Sequence, residues 1–550
     1  MNNMCNSVWQ PGMCAEPACA TTRGSPYQEA AASRGATLAS TPVTRRFATS
    51  ALLLAAMLLA PRIAMAALSA EDLAWIDRIT YGVNKRTAME YEKLGREKFL
   101  QKQLHPPADD QLDEATEANL ARNVVDMQTV MEDVTVRRQK FVREVKDQRK
   151  RSEFNTMIRR EGNKVLAVAK RRHLIRAIYS PWQLKEQMAW FWLNHFSVFS
   201  AKAYIRFQAG DYEDRALRPH AMGKFRDLLL ATMTHPAMLD YLDASKNKKG
   251  KSNENYAREL MELHTMGVGS GYTQKDITEV ARVLTGISVN FSPKPPRVDA
   301  QSQKGFFRKN GVQFLPRQHD SGDKVVLGKK IKGDGWGEVE ALADLLARQP
   351  ATARHISTKL AQFFVGDQPA PALVKAMSER FMKSDGDISQ TLDTLFKSKE
   401  FKASLGSKFR NPMEVVISTA RLAYEDRQIQ NYLPLINSLD RLGQGLYKRV
   451  TPDGYPLQKS MWDGSSQLFQ RFEVVRFLST GAARFFQYGK QSDEIKGSVP
   501  DLNNDFYEQN IKPHLSETTL GVLNKTPKNR VMWNAMLFSS PEWMNREYKK

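Results

Sequence analysis

Cysteine is almost absent from this sequence of 550 residues. Its three cysteines, Cys5, Cys14 and Cys19, all lie near the start of the chain, and none follows them. A disulfide, a thiolate metal site and a cysteine nucleophile all need this side chain, so the chain after Cys19 can contain none of them. Chemistry there must use carboxylate, imidazole, amine, guanidinium or hydroxyl groups.

Long apolar runs are missing too. The run Ala51–Ala60 is too short to span a hydrocarbon core of about 30 Å, and no later stretch reaches about 18 apolar residues. It follows Arg45 and Arg46 and precedes Ala64-Met65-Ala66, which is the order of a secretory signal peptide. We therefore expect cleavage after Ala66, export to the periplasm or the exterior, and no transmembrane span in the mature chain.

Several well-known catalytic motifs are also missing after the leader. The sequence contains no HExxH, no GxSxG, no GxGxxG, no P-loop and no pair of ExxH motifs. These absences argue against the common zinc peptidases, serine hydrolases, dinucleotide enzymes, nucleotide hydrolases and di-iron bundles. Histidine is scarce as well, with nine in the whole chain.

Basic residues, in contrast, are in excess, with 81 Lys and Arg against 60 Asp and Glu. Residues 137–176 hold fifteen Lys and Arg against four Asp and Glu, a local net charge of +11. In an exported protein such a surface would meet an anionic polysaccharide or a lipid surface, and export argues against nucleic acid as a partner. The alternative is an ordinary solvated helical face.

The hydrophobic pattern after residue 66 is mostly helical. It predicts a mainly α fold, a multi-helix array with a long charged helical arm and one small β-ribbon. Residues 312–315 and 324–327 are the expected partners in that ribbon. The predicted segments are a leader (1–66), N-terminal helices (67–110), the charged arm (111–179), a central helical core with a polar motif helix (180–287), a loop and β-ribbon region (288–335) and a C-terminal helical region (336–550).

The most informative segment is the predicted motif helix from about Asn253 to Met266. Glu254, Arg258 and Glu262 recur every four residues and should form a ladder of alternating charge. This helix has many carboxylate and amide side chains and only a narrow apolar stripe, which predicts that it lies inside the protein. Buried charges must be paired with one another or must bind a ligand. The segment is therefore either a site or a buried structural network.

If it is a site, each polar residue has an expected role. Glu259 and Glu262 would be acid and base, helped by His195 and by Asp320, which follows His319 in a predicted loop. The same side chains, Glu259, Glu262, His195 and His319, are the candidates for binding a metal, although no cofactor can be named. The expected substrate-binding residues are Asn194, Asn253, Glu254, Asn255 and Arg258.

Several of these stretches resemble the bacterial domain-of-unknown-function 1800 family. The matching runs include Phe191-Trp192-Leu193-Asn194-His195-Phe196, the stretch 253–268 and His319-Asp320, and the resemblance covers about residues 70–543. It implies an exported helical protein without a settled activity. Leu193 stands where the family usually has a histidine, which argues against a two-histidine metal site there.

The resemblance also implies a genomic neighbour. Genes of this family often lie beside those of a second exported family that resembles sulfatases and alkaline phosphatases, which makes such a protein a candidate partner.

Two functions follow as hypotheses, and whether the protein is an enzyme stays open. The first is a hydrolase that acts on an envelope or extracellular polymer through the polar cluster. The alternative is a non-catalytic helical scaffold or binding protein that grips an anionic polymer or a partner through its basic arm.

Overall fold

The computed structural model describes residues 67–486, 499–526 and 529–548. The predicted signal peptide and its cleavage site after Ala66 lie outside these residues. Within the described part of the chain, no helix is both long enough and apolar enough to cross a membrane.

The described residues form a mainly helical array, as the hydrophobic pattern predicts. The first twelve helices are α1 (Ala70–Ile79), α2 (Lys85–Leu94), α3 (Arg96–Leu104), α4 (Glu114–Ala121), α5 (Met127–Glu144), α6 (Gln148–Tyr179), α7 (Gln183–His195), α8 (Ile205–Asp211), α9 (Phe225–Met233), α10 (Pro236–Tyr241), α11 (Glu254–Glu259) and α12 (Gln274–Val283). The later helices are α13 (Ala300–Gln303), α14 (Trp336–Ala347), α15 (Pro350–Phe364), α16 (Pro371–Lys383), α17 (Ile388–Phe396), α18 (Lys399–Ala403), α19 (Pro412–Ala423), α20 (Leu433–Arg441), α21 (Ser465–Ser479), α22 (Asp505–Asn510), α23 (Glu517–Asn524), α24 (Arg530–Ser539) and α25 (Pro541–Asn545).

Helices α5 and α6 form the predicted charged arm. Asp147 ends the short turn between them and caps α6, because its carboxylate accepts a hydrogen bond from the amide of Lys150 at 2.8 Å. The helices are joined by stacked rings of Phe141 and Phe154, 4.2 Å apart, and by an ion pair between Arg137 and Glu161. The arm is therefore a helical hairpin with its own contacts.

Helix α7 lies in the core, as its sequence predicts. All thirteen of its residues are buried, and Trp192 still satisfies its ring nitrogen by donating to the carbonyl of Ala221 at 2.9 Å. The end of this helix therefore places Asn194 and His195 deep in the protein.

The strands differ from the predicted ribbon. β3 (Val312–Phe314) pairs antiparallel with β1 (Ile287–Val289) and β2 (Phe307–Lys309), whereas β4 (Lys324–Val326) pairs with β5 (Lys329–Ile331). The prediction that residues 312–315 pair with 324–327 was wrong because each segment has a closer partner across a short turn. Asn310 and Gly311, both with positive φ, form the turn between β2 and β3.

Candidate active site

The motif helix begins and ends close to its predicted limits. Asn253 caps α11, and the helix then widens into a π-helix over Leu260–Thr265. A π-turn costs regular hydrogen bonding and is frequent at functional sites. The residues that face the core are Tyr256, Ala257, Leu260, Met261, His264 and Thr265.

The predicted charge ladder exists, but it lies at the surface. Arg258 is 3.9 Å from the carboxylate of Glu254 and 3.5 Å from that of Glu262. The exposed fractions of the Glu254, Arg258 and Glu262 side chains are 35%, 41% and 23%. The expectation of a helix inside the protein was therefore wrong, since the apolar stripe is wide enough to bury one side only.

Part of the ladder joins α11 to α12. Glu254 accepts hydrogen bonds from Gln274 at 2.6 Å and from Thr278 at 2.8 Å, and Arg258 donates to Gln274 at 2.8 Å. These contacts give Glu254 and Arg258 a structural use besides the predicted substrate binding.

The two asparagines of the motif hold the preceding loop. The amide of Asn253 donates to the carbonyl of Asp243, and the amide of Asn255 donates to that of Leu242, both at 3.2 Å. Their side-chain donors are thus used within the protein. The structure places both asparagines next to the ladder, where their side chains hold the start of the helix against the preceding loop.

Asn194 fixes a loop from the C-terminal half of the chain. Its amide donates to the carbonyl of Tyr455 at 2.9 Å, and its oxygen accepts from the Tyr455 amide at 2.6 Å. The contact requires Gly454, because a Cβ there would lie 2.1 Å from the backbone oxygen of Asn194. Residue 194 therefore positions the loop 451–462, which we call the clamp loop.

The clamp loop brings a third carboxylate, Asp453, toward the motif helix. Burial opposes ionisation of Asp453, but hydrogen bonds from Arg449, at 2.8 Å, and from Thr451 outweigh it and lower its pKa. Glu259 has the opposite environment. Burial, the charge of Glu262 and the charge of Asp453 all raise its pKa, and Arg258 only partly offsets them.

Behind the motif helix lies a group of imidazoles. His195 is buried and donates from Nε2 to the backbone oxygen of His264 at 3.1 Å, and its ring centre lies 6.2 Å from that of His264 and 6.1 Å from that of His355. Burial and the nearby charge of Lys359 lower the pKa of His264 to about 3 and that of His355 to about 4.

Lys359 is the cation closest to this group, and part of its side chain reaches the surface. Burial lowers its pKa to about 8, although the carboxylate of Asp453 favours its charged form. Glu259, Asp453 and Lys359 are therefore three groups with perturbed pKa values, and the charge of Asp453 on the clamp loop acts on both Glu259 of the motif helix and Lys359 of α15. Such groups cluster at functional sites.

His319 and Asp320 belong to a different part of the fold. His319 is buried between the carbonyl of Thr285 and the carboxylate of Glu338, each 2.8 Å from one ring nitrogen. Asp320 accepts two hydrogen bonds from Arg282, at 2.9 and 3.1 Å. Within the described ranges neither residue contacts Glu259 or Glu262, so the structure does not bring them into the candidate site.

No metal centre is formed by the candidate ligands. In residues 67–486, 499–526 and 529–548, no group of three or more His, Cys, Asp or Glu side chains is arranged to hold a metal ion. Glu259 and Glu262 lie on the outer side of the motif helix, His195 lies behind it, and His319 binds Glu338.

Comparison with known proteins gives one match. A protein family described as of unknown function, DUF1800, matches residues 74–545. The chain belongs to the DUF1800 family. No curated protein and no solved structure matches this DUF1800 chain.

Sequence reasoning missed Asp453, His355 and Lys359 as parts of the candidate site. They lie about 100 to 200 residues after the motif helix. Nothing in the sequence connects Asp453 and Gly454 to Asn194. Only the packing of α7 against the clamp loop places these residues together.

Proposed function

We propose that this DUF1800 chain is an exported hydrolase that cleaves an envelope or extracellular polymer by general acid–base catalysis. One observation carries the proposal: the charge of Asp453 contributes to the raised pKa of Glu259, and the surroundings of the two carboxyl groups shift their pKa values in opposite directions. Two carboxyl groups whose pKa values are driven apart are the usual basis for separate acid and base roles.

The roles follow from these environments. Glu259, with the raised pKa, keeps its proton longer and would donate it to the leaving group. Asp453, with the lowered pKa, is ionised and would activate water or stabilise positive charge in the transition state. Lys359 and Arg258 are the nearby cations that can orient an acidic or hydroxyl-rich substrate. The surface position of the ladder suits a chain-like substrate that extends past the site.

The test is an assay for polymer cleavage. The purified chain from residue 67 onward is incubated with a panel of bacterial envelope and extracellular polysaccharides, and released fragments are measured by mass spectrometry. Glu259→Gln and Asp453→Asn should each lower the rate by about 10²- to 10⁴-fold, the usual contribution of a general acid or base.

Glu254→Gln is the matched control, because Glu254 lies on the same helix but its carboxylate binds Gln274 and Thr278. It should keep most of the activity. Failure to cleave any polymer of the panel, or an equal loss in Glu254→Gln and Glu259→Gln, would contradict the proposal.

A second candidate function, binding of an anionic polymer, rests on the arm. Nine exposed Lys and Arg side chains lie in residues 138–164. Within the described part of the chain, Arg149 is the one of these nine that forms an ion pair, with Glu153 at 3.2 Å. Unpaired exposed cations attract a polyanion and are screened by salt.

Replacing Arg143, Arg159 and Arg160 by Gln should weaken binding to an acidic polysaccharide such as alginate by tenfold or more, and should flatten its dependence on salt. The control replaces Lys375, Arg380 and Lys383, which are exposed on α16. An equal effect of both triple variants would reject a specific role for the arm.

A further inference from the structure

Two of the buried charge networks in the described part of the chain differ in their balance of charge, and the first is balanced. Four cations meet four carboxylates, with a bidentate pair between Arg218 and Glu186 at 2.7 and 2.8 Å at its centre. Each cation has an acidic partner within 3.2 Å. Its members are Arg172, Arg176, Lys185, Arg218, Asp110, Glu186, Glu213 and Asp214. Such a network satisfies itself and needs no ligand.

The second network, between α1 and the C-terminal part of the chain, has more cations than carboxylates. Its anions are Asp77 and Glu414, both buried. Asp77 binds Arg410 at 2.6 Å and Arg546 at 3.4 Å, and Glu414 binds Arg546 at 3.1 Å. Its four fully or almost fully buried arginines are Arg78, Arg410, Arg471 and Arg546.

Two of these arginines have no acidic partner within the described parts of the chain. Arg78 donates to the backbone oxygens of Phe364 and Ser404. Arg471 donates only to the backbone oxygen of Arg410, at 2.7 Å, and leaves Nε and one terminal nitrogen without a hydrogen bond. A buried charge without a counter-charge is costly, so the excess calls for an anion nearby.

A cavity of about 120 Å³ lies beside this network. Lys408 lines it, and within the described residues the Lys408 ammonium has one hydrogen bond, to the backbone oxygen of Gln362 at 3.1 Å. Phe409 forms another wall, and the Arg471 guanidinium packs on that ring at 4.3 Å from its centre. The cavity holds about four water volumes, which is enough for a small oxyanion.

The polar groups that face the cavity favour a negative ligand. Lys408 and Lys459 are its cations, and Asp367 is its one carboxylate among the described lining residues. Asp367 is already engaged, because it accepts a hydrogen bond from the Lys459 amide at 2.9 Å. The side chains of Ser407 and Asn411 add neutral polar groups.

We propose that this cavity is a binding site for an oxyanion, a sulfate, phosphate or carboxylate group, which Lys408 contacts directly and the buried arginines stabilise from behind. The site is separate from Glu259 and Asp453, and it does not depend on the proposed hydrolase activity.

The charge state of Lys408 gives the site a characteristic pH dependence. Burial lowers the pKa of Lys408 to about 8, Arg78 and Arg546 act in the same direction, and Glu414 and Asp367 oppose it. An anion binds best while Lys408 is protonated, so affinity should be full at pH 7 and should fall as the pH rises through 8. Lys459 also faces the cavity, but it is half exposed and its ammonium lies 3.9 Å from the carboxylate of Asp463, so Lys408 is the main cation of the site.

The test measures binding to the chain from residue 67 onward by calorimetry, with sodium sulfate as the probe because it does not titrate between pH 6 and 9. Sodium chloride at equal ionic strength is the reference. Sulfate should bind at least tenfold more tightly than chloride. Lys408→Met should lower the affinity for sulfate about tenfold, which is the usual contribution of one charge-assisted hydrogen bond. Glucuronate is tested in parallel. Tighter binding of sulfate than of glucuronate would indicate a site for a free inorganic ion, and the reverse would indicate a site for a carboxylate carried by a sugar.

Lys402→Met is the control, because Lys402 lies six residues earlier with 66% of its side chain exposed. Thermal melts with and without sulfate provide a second measurement if Lys408→Met is poorly stable, since site binding should make sulfate raise the melting temperature of the wild type more than that of Lys408→Met, beyond the general stabilisation by this salt. Equal binding of sulfate, glucuronate and chloride, or unchanged sulfate binding in Lys408→Met, would overturn the proposal.

Discussion

At the scale of single residues, the two acidic side chains Asp320 and Glu259 have opposite environments. Asp320 was a catalytic candidate, yet its carboxylate is held by Arg282, which lowers its pKa to about 2 against the effect of burial. We predict that Asp320→Asn destabilises the protein by ~1 kcal/mol at pH 7, because the pair is partly exposed. Thermal unfolding would register this as a decrease of about 2 °C.

The pH dependence of that effect has a definite sign. A carboxyl group with a lowered pKa stabilises the fold above its unfolded pKa, and the contribution is lost as the pH falls through the folded value. The gap between wild type and Asp320→Asn should therefore close from about pH 4 to about pH 2. Asp334→Asn, at an exposed position nearby, should show no gap at any pH.

Glu259 should behave in the opposite way. Because burial, Glu262 and Asp453 raise its pKa, the charged form at pH 7 is less favourable in the folded protein than in the unfolded chain. Its stabilising contribution is full below its unfolded pKa and is lost as the pH rises through the folded value. Glu259→Gln should thus melt about 1 °C higher than wild type at pH 7 and equally at pH 4. A lower melting temperature at pH 7 would contradict the assigned environment.

At the scale of elements, the clamp loop is the sensitive part of the site. Gly454→Ala places a Cβ against the backbone of Asn194 at a φ of +78°, so the loop must move. We predict a loss of about 1–3 kcal/mol and a decrease in the pKa of Glu259 as Asp453 moves away. Titration of ¹³C-labelled glutamate side chains by NMR measures that pKa.

Gly521→Ala is the matched control, since Gly521 lies in α23 with no atom within 4 Å of the new Cβ. It should leave the pKa of Glu259 unchanged and should not destabilise the protein. An unchanged pKa in Gly454→Ala would mean that the clamp loop does not set the charge environment of Glu259.

The sequence predicted individual helices better than it predicted contacts between distant segments. Periodicity correctly indicated the arm, the buried helix α7 and the motif helix, because each depends on neighbours three or four residues apart. It did not predict which strands pair, nor that Asp453 and Lys359 lie near the motif helix. The pairing of β3 with β1, the approach of Asp453 to Glu259 and that of Lys359 to Asp453 depend on contacts between residues far apart in the chain, which no local pattern records.

At the scale of the whole molecule, the unbalanced charge network joins distant parts of the chain. Asp77 is fully buried and binds Arg410, Arg546 and the hydroxyl of Tyr548, the last at 3.2 Å. We predict that Asp77→Asn costs about 3–5 kcal/mol, because Arg410 loses its counter-charge and Arg546 keeps only that of Glu414. Denaturant unfolding would measure the loss, and Asp109→Asn, at an exposed position, should cost little.

The contact between Asp77 and Tyr548 spans 471 residues. During synthesis α1 leaves the ribosome long before Arg410, Arg546 and Tyr548 exist, so the partners of the Asp77 carboxylate all arrive late. Contacts of such long range close the largest chain loops and form late. The contacts of Asp77 are therefore among the last to form, and without Arg546 and Tyr548 its buried carboxylate would keep only Arg410 of these three partners.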